Sequence, residues 1–327
     1  MVNKSMTIVW TEADLPRPPG GAGLPMQQHP THGAVCAALG RSVRWLDWHE
    51  RGKVLGSAQV LSRNWSLVGR VALISRGPVF APDLPEGALR DAHAALINGL
   101  RADHRGVIVT PEPVAGVDPV AGGPWLSMMT GGHVARLSLG PDACTLRAGL
   151  HQKWRNRLRR AESAGLTLAE APLPDDPAHW LLREEAAQAR ARRYGRLPPA
   201  YALAWARAGE TLLVSAHAGG RPVAGMLFLI HPPWASYHLG WTSAAGRAAN
   251  AHNLIMWRAI LALKAQGITA LELGLLDTEN APDLARFKLG TGAEGVPLGA
   301  TMLDAPGSRA VAALARAAAF ALSRISR

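Results

Sequence analysis

One order of predicted elements occurs twice along this chain, and that repetition restricts the possible folds more than any other feature. Each half predicts a β-hairpin, a third strand, a helix and a closing strand. In the first half these elements are predicted at residues 42–48, 53–62, 71–75, 89–103 and 106–110. In the second half they are predicted at residues 212–218, 222–230, 235–241, 251–266 and 269–274. The order predicts a duplicated α/β domain, although no residue-level repeat accompanies it.

The second half ends with the segment Phe287-Lys288-Leu289-Gly290-Thr291-Gly292, which is predicted to be a glycine-rich turn. A strand, a helix and a strand leave a crevice at the carboxyl ends of the strands, and Lys288 comes just after this unit in the sequence. Only five of the 35 basic residues are lysine, namely Lys4, Lys53, Lys153, Lys264 and Lys288. Because a partly buried lysine can lose its proton whereas arginine keeps its charge, Lys288 is a candidate for chemistry. A surface lysine after a loop is the alternative.

Composition limits the class of protein and its partners. The 327 residues are enough for two domains, and a hydrophobic content of 48% is typical of a packed globular chain. A formal charge of +11 favours acidic partners such as RNA, nucleotide phosphates, anionic lipid or cell-wall precursors. The two cysteines, Cys36 and Cys144, lie far apart without metal-ligand spacing, so neither a disulfide framework nor a metal site is expected.

Targeting and membrane-spanning segments are not predicted either. Residues 1–15 include Glu12 and Asp14 and lack the apolar core of a signal peptide. The most apolar window, residues 212–230, is interrupted by polar residues, glycines and a proline. These observations predict a cytoplasmic location.

Residues 146–165, between the two halves, are predicted to form one helix with an apolar stripe and basic sides. The stripe contains Leu146, Leu150, Trp154, Leu158 and Ala161. The flanking rows contain Lys153, Arg155, Arg157, Arg159 and Arg160. One arginine side chain can donate two parallel hydrogen bonds to phosphate oxygens, so this surface can bind a phosphorylated ligand. A solvated charged face is the alternative.

The last predicted helix, residues 308–327, has apolar residues on one side and arginines on the other. A basic amphipathic helix can lie on an anionic membrane. Its apolar side is narrow and rich in alanine, which favours packing against the protein's own core.

Four segments, in chain order, carry a family resemblance. They are Met26-Gln27-Gln28-His29-Pro30, Arg76-Gly77-Pro78-Val79, the basic helix from residue 152 to 165, and Phe287-Lys288 with its glycines. Together they resemble the Fem family of peptidyltransferases. The resemblance implies an α/β (α+β) fold of two tandem GNAT-like acyltransferase domains, each a mixed sheet flanked by helices. We expect the first at residues 1–147, with residues 300–327 packing back on it, and the second, with the active site, at residues 148–299.

The function that the resemblance implies is transfer of an aminoacyl group from aminoacyl-tRNA to an amine. The acceptor would be a peptidoglycan precursor or a small peptide, and no cofactor is implied. The long helical arm of some Fem enzymes is missing, which indicates the smaller, arm-less type. We expect a monomer. Peripheral contact with the inner face of an anionic membrane is a further option that the sequence does not decide.

The resemblance also implies roles for individual residues. Lys288 would contact the substrate near the reaction centre. Phosphate would be bound by Lys153, Arg155, Arg157 and Arg159, and the remaining predicted substrate contacts are Tyr237, Trp241, Asn253 and Phe287.

Amide formation needs stabilisation of a tetrahedral oxyanion and an acceptor for a proton. The Lys288 ammonium or a backbone N–H near residues 239–241 can stabilise the oxyanion. Candidate proton acceptors are Glu272, Asp277, Glu279 and His238, of which Glu272 and Asp277 are preferred. The alternatives are a buried ion pair for Glu272 and a turn cap for Asp277.

Two other functions compete with this prediction. An acyl-CoA N-acyltransferase of the GNAT type would act on an amino sugar or small amine. Such enzymes carry glycines at the turn that binds pyrophosphate, where this chain reads Arg247-Ala248-Ala249-Asn250-Ala251-His252. Asn250 replaces the key glycine, which disfavours this alternative. A non-catalytic protein that binds RNA or a membrane surface explains the charge, but not a lysine and acids beside a crevice.

Overall fold

The structure, a computed structural model, describes residues 8–15, 18–21 and 23–325, with side chains up to residue 317. The chain forms two compact units, Met1–Gly132 with Pro297–Arg327, and His133–Val296. Each unit is built on one mixed sheet flanked by helices, so the predicted duplicated α/β architecture is confirmed. The predicted boundary after residue 147 falls inside a helix of the second unit, Ala143–Gly149.

The first unit combines the N-terminal part of the chain with its last two elements. The strands are β1 (Trp10–Ala13), β2 (Ser42–Glu50), β3 (Lys53–Trp65), β4 (Gly69–Ser75), β5 (Val79–Phe80), β6 (Gly106–Thr110) and β7 (Leu126–Met129), with β15 (Thr301–Asp304). The helices are α1 (Pro30–Ala38), α2 (Glu86–Leu100) and α10 (Ser308–Ile325). The strand order is β1-β2-β3-β4-β6-β15-β7, with β5 paired to β3.

The core of the first unit lies between α2 and the sheet. Leu96, Ile97 and Leu100 recur at helical spacing on α2 and pack with Val107 and Val109 of β6. The parallel strand β4 pairs with the whole of β6, from Val71 with Gly106 to Ser75 with Thr110.

The side-chain amide of Gln28 bridges β3 and β4 at the point where β4 ends. Its Oε1 accepts a hydrogen bond from the Gln59 backbone N–H at 2.7 Å, and its Nε2 donates to the Ser75 carbonyl at 2.8 Å. A Cβ on Gly77 would lie 2.5 Å from this amide, so the position requires glycine. The next residue back, Arg76, has a left-handed φ of 54° and pairs with Glu112. Two of the four segments that carry the family resemblance, residues 26–30 and 76–79, are therefore in contact in the structure.

The second unit contains the remaining elements. Its strands are β8 (His133–Ser138), β9 (Thr167–Ala171), β10 (Glu210–Ala218), β11 (Arg221–His231), β12 (Trp234–Thr242), β13 (Ala270–Leu275) and β14 (Glu294–Pro297). Its helices are α3 (Ala143–Gly149), α4 (Gln152–Glu162), α5 (Trp180–Arg192), α6 (Pro199–Ala208), α7 (Ala244–Ala248), α8 (Ala251–Ala265) and α9 (Pro282–Leu289). The strand order is β14-β8-β13-β12-β11-β10-β9.

Helices cover both faces of this second sheet. Strand β11 is buried at every residue from 223 to 231, as expected for a strand without a solvent face. On one face, the apolar residues of α8 and α4 share a core with β10 and β11. On the other face, the Trp180 ring of α5 lies against Gly225, where a Cβ would come within 2.6 Å of it.

The predicted single helix at residues 146–165 is wrong, because the structure has two helices there. Leu150 is extended, with ψ of 138°, and ends α3, and His151 precedes α4. The His151 N–H at this break donates to the Gly290 carbonyl at 3.0 Å. All five stripe residues are nonetheless buried, because the break keeps Leu146 and Leu150 on the side that faces the core.

The C-terminal segment returns to the first unit. Strand β15 pairs with β6 and β7, and α10 contacts β7 and β15. Ala312 of α10 is buried, and Arg309 forms an ion pair with Asp304. Within the described ranges, no helix is long and apolar enough to cross a membrane.

Candidate functional site

The parallel strands of the second unit separate part of the way along. In the described structure, β12 and β13 pair only at Trp234–Ser236 with residues 270–272. Just beyond these pairs, a bulge at His238 shifts the register of β12 with β11, and a second irregularity before Gly274 shifts the register of β13 with β8. Gly274 has φ of 79°, which glycine adopts without strain. The two strands therefore leave a crevice at their carboxyl ends, as the sequence predicts.

Lys288 lies at the open end of β13. Its side chain is buried, and Nζ donates to the Leu275 carbonyl at 2.6 Å. Burial lowers the pKa of Lys288 to about 8, because a desolvated ammonium is less stable than a hydrated one. This amine can therefore exist in both protonation states near neutral pH.

The local structure around Lys288 differs from the predicted glycine-rich turn. Phe287 and Lys288 belong to the last turn of α9, which begins at Pro282 and ends before Gly290. Proline is favoured in the first turn of a helix, and Ala285 and Lys288 are three residues apart on its buried side. Lys288 is thus held by a helix and is not a surface lysine after a loop.

Aromatic and imidazole rings connect the end of β12 to α9. His252, in the first turn of α8, donates from Nε2 to the Trp241 carbonyl at 3.0 Å. The centre of its ring is 6.2 Å from that of Phe287, whose ring lies 5.9 Å from Trp154 of α4. Burial lowers the pKa of His252, which keeps the ring neutral. These rings therefore pack between the end of β12 and α9, beside the turn that precedes α8.

Two buried donors in the same region have no hydrogen-bond partner among the described residues. They are Asn253 Nδ2, beside His252, and Trp154 Nε1, beside Phe287. An unsatisfied buried donor is costly, so such atoms are suited to an acceptor oxygen of a bound group. Asn253 is one of the predicted substrate contacts. The sequence predicts Trp154 only as a residue of the apolar stripe.

The wall of the crevice on β12 is formed by half-buried residues from Tyr237 to Trp241. Gly240 lies so close to the Tyr237 hydroxyl that a Cβ there would be 2.5 Å from Oη. Burial raises the pKa of Tyr237, so its hydroxyl stays protonated. The Trp241 ring packs edge-on against Trp180 at 5.9 Å.

A polar cluster that the sequence analysis missed lies beside β12. Glu185 of α5 is buried, accepts a hydrogen bond from the Tyr194 hydroxyl at 3.0 Å and pairs with Arg196 at 3.0 Å. Gln188 Nε2 donates to the Tyr194 hydroxyl and, at 3.4 Å, to the Gly240 carbonyl. The one sequence signal for this cluster is a glutamate at helical spacing from the buried residues Leu182 and Ala189.

Three of the predicted acid-base residues lie in different environments. His238, the bulged residue of β12, stacks near Tyr201 at 5.6 Å, and burial lowers its pKa to about 4. Glu272 is buried and ion-paired with Arg136 of β8 at 2.8 Å. Asp277 is exposed and accepts hydrogen bonds from the N–H groups of Asn280 and Glu279, which lower its pKa. The contacts of Glu272 and Asp277 match their structural alternatives, and the catalytic roles of all three stay predictions.

The predicted phosphate-binding residues lie on the outer side of α4. Lys153, Arg157 and Arg159 are exposed, and Arg155 is half-buried with Nη1 donating to the Ala148 carbonyl at 2.9 Å. In the described structure, neither Lys153 nor Arg157 forms an ion pair. Their charges are therefore available to an anionic ligand.

The described residues contain no group of three or more histidine, cysteine or acidic side chains placed to hold a metal ion. The crevice residues instead offer N–H and ammonium donors, which suit oxygen atoms of an organic ligand.

Comparisons with known proteins agree with this architecture. Residues 149–289 match the family described as acetyltransferase (GNAT) domain. The structure of FemX is similar with a TM-score of 0.68 and 13% identity, over 86% of this chain and 92% of that one. No curated protein matches the chain.

Two further solved structures share the fold over 90% of this chain. One is the C-terminal domain of a putative lysylphosphatidylglycerol synthetase from Agrobacterium fabrum, with a TM-score of 0.54, 16% identity and 92% of that chain covered. The other is a tandem GNAT protein from the clavulanic acid biosynthesis pathway, with a TM-score of 0.51, 13% identity and 98% covered. The chain therefore has the tandem GNAT fold that its sequence predicts, and residues 149–289 within it match the GNAT domain family.

Proposed function

We propose that this protein is an aminoacyltransferase, which moves an aminoacyl group from aminoacyl-tRNA to an amine of a peptide or cell-wall precursor. The observation that carries the proposal is the buried Lys288 amine, of lowered pKa, at the open end of the separated strands β12 and β13. A protein that only binds RNA or a membrane has no need of a desolvated lysine, whose burial costs stability.

The chemistry assigned to the crevice is amide formation. The acceptor nitrogen attacks the ester carbonyl, a C–N bond forms, and the C–O bond to the tRNA ribose breaks. The attacking amine loses a proton, and the ribose hydroxyl gains one. The Lys288 ammonium stabilises the oxyanion of the tetrahedral intermediate, which is the charge that develops in this reaction. Asn253 Nδ2 and Trp154 Nε1 donate to other oxygens of the donor.

Two features favour tRNA over coenzyme A as the donor. In the first turn of α8, His252 stands where acetyl-CoA enzymes have glycine or alanine, and its ring donates to the Trp241 carbonyl and lies near the Phe287 ring. Beyond the crevice, α4 presents the cations Lys153 and Arg157 to solvent, without ion pairs in the described structure, which suits a polyanion. The fold shared with FemX is compatible with this choice.

An acyl-CoA N-acyltransferase is the second candidate, for one specific reason. Asn250 adopts the left-handed conformation, with φ of 53°, at the position that the acetyl-CoA enzymes fill with glycine. Asparagine tolerates this conformation better than other side chains, so the turn itself is preserved. The family description of residues 149–289 is compatible with both donors.

The test compares both donors in one assay. Radiolabelled aminoacyl-tRNAs and radiolabelled acetyl-CoA are incubated in parallel with small amines, peptides and cell-wall precursors. We expect label to pass from tRNA into an RNase-resistant product with wild-type protein but not with Lys288→Ala. Transfer from acetyl-CoA alone would replace the proposal with the second candidate, and retained tRNA binding without any transfer would favour the non-catalytic alternative.

A further inference from the structure

The hairpin between β3 and β4 ends in a short tip, residues 65–68, that exposes three large apolar side chains. The last pair of this hairpin is Trp65 with Gly69, and the Val68 N–H donates to the Trp65 carbonyl at 3.1 Å. Leu67 is fully exposed, at 101% of its reference area, and Trp65 and Val68 are each 50% exposed. The tip is therefore ordered as a tight turn, and its apolar side chains point into solvent.

Single exposed apolar residues are common on soluble proteins, but adjacent ones on a projecting turn are not. A turn normally carries polar residues or glycine and proline, because it has no core to contact. Here Leu67 and Val68 are aliphatic, so they can neither stack on nucleic-acid bases nor form hydrogen bonds. Hydrocarbon is the environment that they match.

Arginines surround the base of the tip. The Arg63 guanidinium lies 5.6 Å from the centre of the Trp65 ring, and Arg70 lies next to the tip on the other strand, β4. The side chain of Arg105 packs beside Gly69, at 3.4 Å from the position of a Cβ there. Of these three, Arg70 has the acidic partner Asp103 at 3.7 Å, whereas in the described structure Arg63 and Arg105 form no ion pair. Positive charge thus lies directly behind an apolar end.

We propose that the hairpin tip is a membrane anchor, which inserts Trp65, Leu67 and Val68 into the boundary between headgroups and acyl chains of an anionic bilayer. Arg63 and Arg105 then lie at the level of the lipid phosphates, where cations are favoured. Tryptophan is well suited to this interface because its ring has an apolar body and a polar N–H. The proposal does not depend on the transferase function, because the tip belongs to the first unit.

The tip is a stronger candidate than the basic amphipathic helix at the C-terminus. In α10, Arg309 is already paired with Asp304, and Arg316 donates to the Gly123 carbonyl at 3.0 Å. Two of the cations that a membrane-bound helix would use are therefore occupied by the protein itself.

The experiment is co-sedimentation of the full chain with vesicles of phosphatidylcholine alone or mixed with phosphatidylglycerol. Leu67→Glu is compared with Leu39→Glu, a matched control at an exposed leucine of the same unit. We expect the wild type to sediment with anionic vesicles and Leu67→Glu to bind about tenfold more weakly, because an inserted leucine contributes that much. Leu39→Glu should bind as the wild type does. Arg63→Gln should bind anionic vesicles more weakly than the wild type at low salt, and the difference between the two proteins should shrink as salt is added.

Equal sedimentation of wild type and Leu67→Glu would overturn the proposal. So would binding of the wild type to vesicles of phosphatidylcholine alone, if neither salt nor Arg63→Gln changes that binding. Loss of tRNA affinity, or of self-association in light scattering, in Leu67→Glu without any loss of vesicle binding would assign the tip to RNA or to a second copy. Because Leu67 is fully exposed, its replacement removes no core packing, and an unchanged unfolding midpoint confirms that each variant is folded.

Discussion

Each unit has a pair of parallel strands joined by a helix, β4 and β6 in the first unit and β12 and β13 in the second. The two pairs differ in how far their backbone pairing continues. In the first unit β4 and β6 remain paired to their last residues, Ser75 and Thr110. In the second unit β12 and β13 separate after Ser236 and Glu272. The same arrangement of a hairpin, strand, helix and strand thus gives a closed sheet in one case and a crevice in the other.

Different residues lie at the ends of the two pairs. In the first unit, the Gln28 side chain bridges β3 and β4 where β4 ends, and it satisfies the backbone groups of Gln59 and Ser75. In the second unit, a bulge at His238 and the left-handed Gly274 lie just beyond the last paired residues, and Lys288 Nζ donates to the Leu275 carbonyl at the end of β13. We conclude that duplication supplies two scaffolds, while the buried amine of Lys288 is placed in the second.

The largest effect is expected from Lys288→Ala. Removal of a group that stabilises the oxyanion lowers the rate of such reactions by about 10²–10³-fold. Steady-state transfer with a saturating donor measures this loss. Lys264→Ala is the matched control, because Lys264 is also on the second unit and donates to backbone carbonyls, those of Leu139 and Gly140. Equal losses in both variants would contradict a special role for Lys288.

The dependence of transfer on pH is the next effect. In the proposed reaction the Lys288 ammonium is the form that stabilises the oxyanion, and its pKa is lowered to about 8. We therefore expect kcat/KM to fall above that pH, by about tenfold per pH unit. In Lys288→Arg the charge persists at higher pH, so the fall should disappear even if the rate is lower. The same fall in both proteins would assign the titration to another group.

The same pKa shift predicts the sign of a stability effect. Between the folded-state pKa of about 8 and the ordinary lysine pKa of 10.5, the unfolded chain binds the Lys288 proton and the folded chain does not. The free energy of unfolding should therefore rise with pH across this window, and the rise should be absent in Lys288→Met. Urea titrations at several pH values measure it. A free energy of unfolding that responds to pH identically in both proteins would contradict a lowered pKa at Lys288.

Gly240→Ala tests the geometry of the β12 wall. Its new methyl would lie 2.5 Å from the Tyr237 hydroxyl and 3.3 Å from the Met226 side chain. Overpacking of this kind costs about 1–3 kcal/mol, and it should reduce transfer as well as stability. The double variant Gly240→Ala with Tyr237→Phe should recover part of both, because the hydroxyl is gone. No recovery would mean that the wall is set by other contacts.

The smallest effect on transfer is expected from Gln28→Ala, on the other side of the comparison. It leaves the backbone groups of Gln59 and Ser75 unsatisfied and should lower the free energy of unfolding by about 1–3 kcal/mol. At temperatures where the variant stays folded, kcat should be unchanged. A large fall in kcat with unchanged stability would show that the first unit takes part in chemistry.

The sequence predicts the repeated elements well, because each has its own local signal. Helix α8 is predicted at residues 251–266 and found at Ala251–Ala265, with Gly267 in the left-handed conformation just beyond it. The element order predicts a crevice, but the same order gives a fully paired sheet end in the first unit, so the order alone does not decide where strands separate. Helix α9 is missed, because Pro282 and the glycines after Lys288 indicate turns when they are read without tertiary context.

The site is less predictable than the fold, because burial and pairing are properties of distant residues. Glu272 is an attractive proton acceptor in sequence, yet Arg136, on a strand 136 residues earlier, already pairs with it. Glu185 and Tyr194 reach β12 from a helix and loop for which no motif gives a signal. Lys288 is the exception, since a lysine in a chain that is rich in arginine is conspicuous from composition alone.

The central claim is that the transfer centre lies in the crevice of the second unit, at Lys288. An affinity label tests it most directly: aminoacyl-tRNA carrying an N-bromoacetyl group, which alkylates a nearby unprotonated amine with loss of bromide. Near pH 8 a large fraction of Lys288 is unprotonated, because its pKa is about 8. We predict that peptide mapping finds the label on Lys288 and that unlabelled aminoacyl-tRNA protects it. Protected labelling confined to residues of the first unit, with Lys288 unmodified, would contradict the account.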